Sequence, residues 1–444
     1  MLRLVSSQIG ELSNQGGNVR GQQAAIAAAI ALTLPALGLR LSGASHGDII
    51  GAVAFGLGVV GAAFVLAWAA EALELDVSRG LAIAVLALIA VLPEYAVDFV
   101  FTWKAGSDPD RYAPLALANM TGGNRLLIGV GWSLVVLLAA WRMRRIARGR
   151  GQTIARNVQV KLGRPSSIGI AYLSLATLYC LTLPLKRSIT LIDAAVLITI
   201  FAAYMVRVAR APAGEPHLVG PAQLIGNLPT QRRRLVVAIL LLFAAGVILA
   251  VAEPFADSLV STGENFGIST FLLVQWLAPL ASEAPELLIA GMFAWRLNTE
   301  SGLGTLLSSK VNQWTLLVGS LPIVFAISSG TLSGLPLDAL QREELLLTAA
   351  QSAFAVAVLA DRTISVKEAW ALLGLFLSQF VLGAVLPEHL RAGERIGVSV
   401  VYLVLAAVLV IHRRHLIRGL LRDGFRTPAH ELADDDAQPA APTL

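Results

Sequence analysis

The chain has 444 residues, of which 56% are hydrophobic and only 14% are charged, well below the roughly 25% of an average soluble domain. Its formal net charge is +5, but the basic residues are concentrated in short segments between apolar stretches, a pattern that favours membrane orientation over binding to nucleic acid. This composition excludes a soluble enzyme. It predicts an all-α polytopic membrane protein, because the apolar stretches reach the roughly 20 residues needed to cross a bilayer as a helix.

The apolar stretches, taken in chain order, predict about twelve transmembrane helices. They cover residues 23–43, 48–74, 79–104, 114–141, 166–186, 188–210, 234–259, 268–296, 303–328, 344–361, 364–387 and 395–413. With this count the three most basic segments, 141–164, 207–234 and 413–426, lie on one side of the membrane, which the positive-inside rule makes the cytoplasmic side. We therefore predict an integral membrane protein, in the inner membrane of a bacterial-type cell, with both termini in the cytoplasm.

Six ionisable residues lie well inside these predicted spans. They are Glu94, Asp98, Arg125, Glu283, Glu286 and Lys310. An ionised side chain at the centre of a bilayer costs about 3 kcal/mol, so the six are expected to face one another, water or a bound cation rather than lipid. The alternative is a purely structural role in buried ion pairs, such as Asp98 with Arg125, or Lys310 with Glu283 or Glu286.

Two of the acidic residues, Glu94 and Glu286, directly follow a proline inside an apolar helix. Proline frees a backbone carbonyl of the preceding turn, and the adjacent carboxylate then makes an oxygen-rich environment suited to a hard cation. Glu94 and Asp98 are four residues apart, and Glu283 and Glu286 are three apart, so each pair shares one helix face. This pattern points to cation transport, with Glu94 and Glu286 as metal ligands.

The two Pro-Glu segments belong to an internal repeat. Leu92-Pro93-Glu94 is followed by a short polar loop and the small-residue run Ala118-Asn119-Met120-Thr121-Gly122-Gly123-Asn124-Arg125. Ala284-Pro285-Glu286 is followed by a similar loop and the run Gly304-Thr305-Leu306-Leu307-Ser308-Ser309-Lys310. In the predicted topology the first loop is external and the second internal, so the repeats are inverted. Inverted repeats with broken helices near the midplane are a recurrent antiporter design.

On these motifs the chain resembles the cation/calcium exchanger superfamily, the sodium/calcium exchangers and their relatives, from Gly51 to about Pro387. The resemblance implies two inverted five-helix repeats, with one extra helix at each end in this chain. The expected parts are an N-terminal tail and extra helix (1–47), the first exchanger repeat (48–210), a cytoplasmic linker (211–233), the second repeat (234–387), an extra C-terminal helix (388–425) and a disordered tail (426–444).

The resemblance implies, by position, that Glu94 and Glu286 are the two central carboxylates of a cation site. The further residues expected to bind cations are Asp98, Asn119, Asn124, Ser282, Glu283, Ser309 and Gln313. The charges of Lys310 and Arg125 are expected to modulate the site. The implied function is secondary active antiport of Na+, Ca2+ or H+ by alternating access, with inorganic cations and the lipid bilayer as partners and no cofactor. The oligomeric state is not predicted.

The chain departs from the family pattern at several positions of the expected site. Gly123 and Leu127 stand where the family has oxygen-bearing residues, and Lys310 replaces an asparagine. The Thr-Ser before the Pro-Glu pair is also altered, to Ala90-Val91 in the first repeat and Ser282-Glu283 in the second. Because Ca2+ takes six to eight oxygen ligands, fewer oxygens and an added ammonium should disfavour a divalent ion. We hypothesise that Lys310 occupies or neutralises one cation position, with Glu283 compensating its charge, so that a monovalent cation is exchanged, or a divalent one at altered stoichiometry. A non-transporting membrane sensor or scaffold descended from such an exchanger is the alternative function.

Overall fold

The computed structural model describes residues 2–43, 45–76, 91–149, 158–210, 218–428 and 431–434, with side chains throughout except at 2–18, 384, 388, 433 and 434. Its helices, numbered along the described residues, are α1 (Leu2–Ser42), α2 (Asp48–Leu73), α3 (Leu92–Ala105), α4 (Pro109–Leu126), α5 (Ser133–Gly149), α6 (Ser166–Cys180), α7 (Leu191–Ala209), α8 (Pro221–Gly226), α9 (Thr230–Phe266), α10 (Thr270–Trp295), α11 (Thr299–Asn312), α12 (Val318–Ser329), α13 (Ala339–Val358), α14 (Val366–Val385), α15 (Glu388–His412), α16 (Arg414–Phe425) and α17 (Glu431–Asp434).

Eleven helical segments of the described residues are long and apolar enough to cross a membrane, and they correspond to eleven of the twelve predicted spans. The remaining predicted span, 79–104, lies partly outside the described residues, and its described part is α3. The predicted all-α membrane fold is confirmed. Several helices are longer than predicted, because polar residues at their ends continue the helix beyond the apolar core: α1 begins at Leu2 and α9 extends from Thr230 to Phe266.

Short polar turns connect each Pro-Glu helix to the small-residue helix that follows it. Asp108 accepts a hydrogen bond from the backbone N–H of Arg111 at the start of α4, and Asn298 accepts one from Ser301 at the start of α11. Such side-chain caps satisfy backbone N–H groups that have no partner within the helix. The caps therefore fix where α4 and α11 begin.

The two small-residue helices end in π-helical turns, a feature the sequence did not predict. α4 is followed by the π turn Leu127–Trp132, and α11 by the π turn Gln313–Leu317. The first π turn begins three residues after Asn124, and the second begins three residues after Lys310. The two runs that were aligned as a repeat thus break their helices at the same position.

Four short strands among the described residues form two antiparallel pairs that were likewise not predicted. β1 (Gln159–Lys161) pairs with β4 (Thr363–Ser365), and β2 (Ser188–Ile189) pairs with β3 (Leu335–Pro336). Each pair joins a loop of the predicted first repeat to a loop of the predicted second repeat. β1 precedes α6 and pairs with β4, which follows α13, whereas β2 follows α6 and pairs with β3, which precedes α13. This exchange of roles is expected if the two predicted repeats are related by symmetry.

The chain forms two compact units. Unit 1 contains Met1–Ala96 and Gly214–Thr262, and unit 2 contains Val97–Ala213 and Gly263–Leu444. In unit 1 the glycines of α2 allow close helix packing: a Cβ built on Gly61 would lie 2.4 Å from the carbonyl oxygen of Ala29, and one built on Gly51 would lie 2.5 Å from the Ser258 hydroxyl. Unit 1 is therefore held together by small residues where its helices meet.

The predicted linker, 211–233, is largely ordered where it is described. Residues 211–217 lie outside the described part, but α8 forms within the linker and buries Ala222 and Ile225. Nearby in unit 1, Asp76 forms ion pairs with Arg233, at 2.6 Å, and with Arg234, at 3.1 Å. The described part of the predicted linker thus forms a packed helix and an ion pair with Asp76.

The C-terminal part, 388–425, contains one helix more than predicted. The span predicted over 395–413 is α15, and a second helix, α16, follows it from Arg414. Within the predicted disordered tail, residues 431–434 form the short helix α17, in which Leu432 is buried. In unit 2, Asp423 of α16 pairs with Arg164 at 3.2 Å, so the end of the described chain is anchored rather than loose.

Candidate cation site

Asp98 and Asn119 form a buried polar pair within unit 2. Asp98 lies on α3 and is fully buried, and its Oδ1 accepts a hydrogen bond of 2.9 Å from the Nδ2 of Asn119 on α4. Within the described residues, the Oδ2 of Asp98 and the Oδ1 of Asn119 have no hydrogen-bond partner. Buried polar atoms are rarely left without a partner, so these two oxygens are candidates to bind a cation or a proton.

Glu283 and Glu286 lie one helical turn apart on α10. Glu283 is 3% exposed, and its Oε1 accepts a short hydrogen bond from the Nε2 of Gln313 in the second π turn. Glu286 is partly exposed, and its Oε2 has no hydrogen-bond partner among the described residues. Glu283 interacts electrostatically with both Glu286 and Asp98. Asp98, Glu283 and Glu286 therefore form one carboxylate cluster.

Lys310 of α11 is fully buried and contacts the first small-residue helix. Its ammonium donates to the Oδ1 of Asn124 at 2.6 Å and to the Asn124 backbone carbonyl at 3.2 Å. It also lies 4.5 Å from the centre of the Trp314 ring, a favourable cation–π distance. Two oxygens that could have bound a metal ion are thus occupied by a tethered ammonium.

Two other predicted ligands are Ser282, next to Glu283 in the chain, and Ser309, next to Lys310. Ser282 is buried, and its hydroxyl donates within its own helix to the carbonyl oxygens of Ala278 and Pro279, at 3.3 Å each. Ser309 is partly exposed. Ser282 therefore sits beside the carboxylates, whereas Ser309 is less enclosed.

Glu94 belongs to unit 1. It lies in the first turn of α3, directly after Pro93, and it is 2% exposed. Along the helix it precedes Asp98 by one turn. The predicted burial of this carboxylate beside a proline is therefore observed.

Arg125 does not form the ion pair with Asp98 that the sequence allowed as an alternative. Its Nη2 instead lies 2.7 Å from the Oε2 of Glu344 on α13, and the same carboxylate oxygen accepts a hydrogen bond of 2.9 Å from Gln275 on α10. Arg125 pairs with Glu344 because that carboxylate lies directly against its guanidinium, whereas Asp98 is bonded to the neutral amide of Asn119. Glu344 was not predicted as a site residue, because it is the first residue of the predicted span 344–361, whereas in the structure it lies inside α13.

The arrangement can hold positive charge that arrives from solution. Carboxylates clustered in a buried site repel one another, so they are stable only when protons or a cation neutralise part of their charge. No group of three or more His, Cys, Asp or Glu side chains among the described residues is placed to hold a metal ion by itself. A bound cation would therefore also need amide, hydroxyl or backbone carbonyl oxygens, which Asn119, Ser282 and Gln313 can supply.

Close helix packing positions these groups. A Cβ built on Gly122 of α4 would lie 1.8 Å from the backbone carbonyl oxygen of Gln275 on α10. Only glycine permits this approach. The contact brings α4, with Asn119 and Asn124, against α10, which carries Glu283 and Glu286.

Comparison with known proteins identifies similar chains. A family model described as sodium/calcium exchanger protein matches residues 48–209 and 236–384. The crystal structure of the H+/Ca2+ exchanger CAX is 43% identical, covers 91% of this chain and 98% of its own, and superposes with a TM-score of 0.82.

A second solved structure, that of the Ca2+/H+ antiporter protein YfkE, is similar in fold. It is 16% identical, covers 87% of this chain and 100% of its own, and has a TM-score of 0.55. Among curated proteins, none matches the chain.

Proposed function

Because the chain belongs to the sodium/calcium exchanger family, a membrane cation exchanger family and not an enzyme family, we propose that it exchanges Ca2+ for H+ across the membrane. The 43% identity to a structure of an H+/Ca2+ exchanger supports this choice of ions. We further propose that the chain works by alternating access through two inverted repeats, 48–210 and 234–387. Its termini are then in the cytoplasm, at the inner membrane of a bacterial-type cell.

The observation that carries the proposal is the carboxylate cluster of Asp98, Glu283 and Glu286. A group of buried carboxyl groups takes up protons when no metal ion is present and releases them when one binds, because each neutralises the same repulsion. Competition of this kind couples the two ions without a nucleotide. We propose Glu286 as one central carboxylate, with Asn119, Ser282 and Gln313 supplying further oxygens in unit 2. From its place directly after Pro93, we propose Glu94 as the other.

Lys310 limits the number of cations that bind at once. Its ammonium donates to both oxygens of Asn124, so it takes the place of one cation. A single Ca2+ is then compatible with the remaining oxygens, whereas the binding of several Na+ ions together is not. The contacts of Lys310 therefore favour the transport of one divalent ion per cycle, the second of the two possibilities that the sequence left open.

The proposal is tested with purified protein in liposomes that trap a fluorescent Ca2+ indicator. With an acidic interior and external Ca2+, wild type is expected to take up Ca2+, and a protonophore that collapses the pH gradient should stop the uptake. Glu286→Gln is expected to lower the rate by roughly 100-fold or more, because it removes a charge from a buried cation site.

The matched control is Glu264→Gln, which changes a carboxylate that is 53% exposed and paired with Arg111. It should transport like wild type. Uptake that follows a Na+ gradient and ignores the pH gradient would contradict the proposal. Ca2+ binding without any flux would instead favour the sensor or scaffold.

A further inference from the structure

Unit 2 contains a cavity of about 590 Å³ between α10, α13, α14 and α15 that the proposed transport cycle does not use. This volume lies within the range of roughly 300–1,000 Å³ that is typical of ligand sites. Most of the wall is apolar, and its large side chains include Phe271, Leu273, Trp276, Leu277, Leu280 and Phe380. The cavity is therefore suited to a ligand with a substantial hydrocarbon part.

Buried polar atoms in the wall indicate that the ligand also has a polar part. Gln379 lines the cavity and is 4% exposed, yet neither its amide nitrogen nor its amide oxygen has a hydrogen-bond partner in the described part of the chain. A buried polar group without a partner costs about 1–3 kcal/mol. A ligand that offers both a donor and an acceptor would relieve this cost.

The charges in the wall specify the polar part further. Arg125 is neutralised by Glu344, and Arg395 by Glu343 at 2.7 Å. Arg391 and Glu394, which are three residues apart on α15 and also line the cavity, form no ion pair with any side chain that the structure describes, a set that leaves out Glu388. The Oε1 of Glu394 is buried and lacks a hydrogen-bond donor among the same residues. The Nε of Arg391 donates to the backbone carbonyl of Leu386 at 3.1 Å, so its two Nη groups and the Glu394 carboxylate remain available to a ligand.

The rim of the cavity is exposed and apolar. Leu277 is 44% exposed, Leu280 is 50% exposed and Phe380 is 43% exposed, and all three lie on helices long and apolar enough to span a membrane. Apolar side chains exposed at such positions meet lipid chains rather than water. The cavity therefore opens towards the source of an amphiphilic ligand.

We propose that this cavity binds one phospholipid with a primary-amine headgroup. The phosphate lies against Arg391, the ammonium donates to Glu394, and the first part of an acyl chain follows Leu277, Leu280 and Phe380. Charge complementarity decides the headgroup class, because a purely anionic headgroup leaves Glu394 unmatched and a quaternary amine has no N–H to donate to it.

The proposal predicts headgroup-selective binding that can be measured without transport. Purified full-length protein in detergent is mixed with dioleoylphosphatidylethanolamine, dioleoylphosphatidylcholine or dioleoylphosphatidylglycerol, and bound lipid is counted by native mass spectrometry while the melting temperature is recorded. Phosphatidylethanolamine should bind at one molecule per chain, with affinity roughly tenfold above that of phosphatidylcholine, because one charge-assisted hydrogen bond differs.

Substitutions test the phosphate contact and the ammonium contact of the headgroup one at a time. Arg391→Gln should weaken all three phospholipids by roughly tenfold. Glu394→Gln should remove the preference for phosphatidylethanolamine and leave phosphatidylcholine binding unchanged. Arg187→Gln, which changes an exposed arginine outside the cavity, is the control and should bind like wild type. If Arg391→Gln does not fold, Leu280→Trp, which narrows the mouth, replaces it and should reduce lipid binding.

Four results would overturn the proposal. Three are equal binding of the three phospholipids, preference for phosphatidylethanolamine that survives Glu394→Gln, and full stabilisation by soluble phosphoethanolamine, which would make this a site for a small polar molecule. The fourth is a dimer that forms without bound lipid, which would assign the cavity to a second copy of the chain. Loss of Ca2+ transport in the liposome assay leaves the lipid counts unaffected, so the two proposals fail separately.

Discussion

Lys310 places a positive charge among the buried carboxylates and amides of unit 2. Its ammonium donates to the side chain and backbone of Asn124 and lies over the Trp314 ring. The fully buried ammonium of Lys310 repels any cation that enters the site, and this repulsion is strong because the protein interior has a low dielectric constant. We therefore expect Lys310 to lower the affinity of the site for cations as well as to limit how many bind.

Replacing Lys310 by asparagine should tighten Ca2+ binding. Lys310→Asn removes the opposing charge and adds a neutral amide oxygen, so the dissociation constant is expected to fall by roughly tenfold. Isothermal titration calorimetry on the purified protein at pH 7 measures the change. Lys310→Arg keeps the charge and is the control, which should bind no more tightly than wild type. An unchanged dissociation constant in Lys310→Asn would contradict a role in binding.

The residues that could be predicted are those whose chemistry is unusual for their place in the chain. Glu283 was selected because ionisable groups in apolar spans are costly, and Gln313 was implied by its position in the family resemblance. The structure brings the two into one hydrogen bond. Glu344 was missed because its role depends on contact with Arg125, which is more than 200 residues away in the chain. Pairing between distant segments has no local signal. The role of each selected residue in binding stays a prediction.

At the scale of helices, the contact between α4 and α10 at Gly122 should be sensitive to a single methyl group. Gly122→Ala would place its Cβ 1.8 Å from the carbonyl oxygen of Gln275, so the helices must separate. We expect a loss of about 3 kcal/mol in unfolding free energy, visible as a lower melting temperature in detergent.

Gly304→Ala is the matched control for this prediction. Gly304 lies on α11, the counterpart of α4, and a Cβ built there meets no atom within 4 Å. Alanine favours the helix over glycine by up to about 1 kcal/mol, so this variant should melt at or above the wild-type temperature. Equal melting temperatures for the two variants would show that the close approach at Gly122 is not required.

Helices were easier to predict than the features that interrupt or connect them. Spans follow from runs of apolar residues, a local property, and eleven of the twelve predicted spans are observed among the described residues. The π turns and the pairs β1–β4 and β2–β3 depend on hydrogen bonds that composition does not encode. The disordered tail was predicted from charge and proline content, yet Leu432 finds a buried position that such content cannot reveal.

At the scale of the whole molecule, each compact unit combines parts of both halves of the sequence. Unit 1 joins Met1–Ala96 to Gly214–Thr262, so its stability depends on contacts between distant segments. The ion pairs of Asp76 with Arg233 and Arg234 are one such contact, made across more than 150 residues. Cutting the chain into domains at the linker would therefore divide each unit.

The Asp76 contact should make unit 1 sensitive to acid. The guanidinium of Arg233 holds the pKa of the Asp76 carboxyl below its ordinary value of 3.8. A lowered pKa means that the contact stabilises the fold above about pH 4 and that this contribution is lost as the pH falls below that value. Wild type should thus lose more melting temperature between pH 6 and pH 3 than Asp76→Asn, which lacks the titrating group.

Scanning fluorimetry in detergent over that pH range measures this effect. Asp110→Asn, which changes an exposed carboxylate at the start of α4, is the control and should follow the wild-type profile. Parallel curves for wild type and Asp76→Asn would show that the ion pairs contribute nothing to the acid sensitivity.

The matched π turns after α4 and α11 bear on the history of the chain. A π turn contains one residue more than the α-helical turn it interrupts, and that residue rotates everything after it by about 100° around the helix axis. Both turns begin three residues after the aligned positions Asn124 and Lys310. An extra residue in an ancestral half, copied when that half was duplicated, would place both turns at matched positions. On that account the two π turns have one origin and share one rotated register.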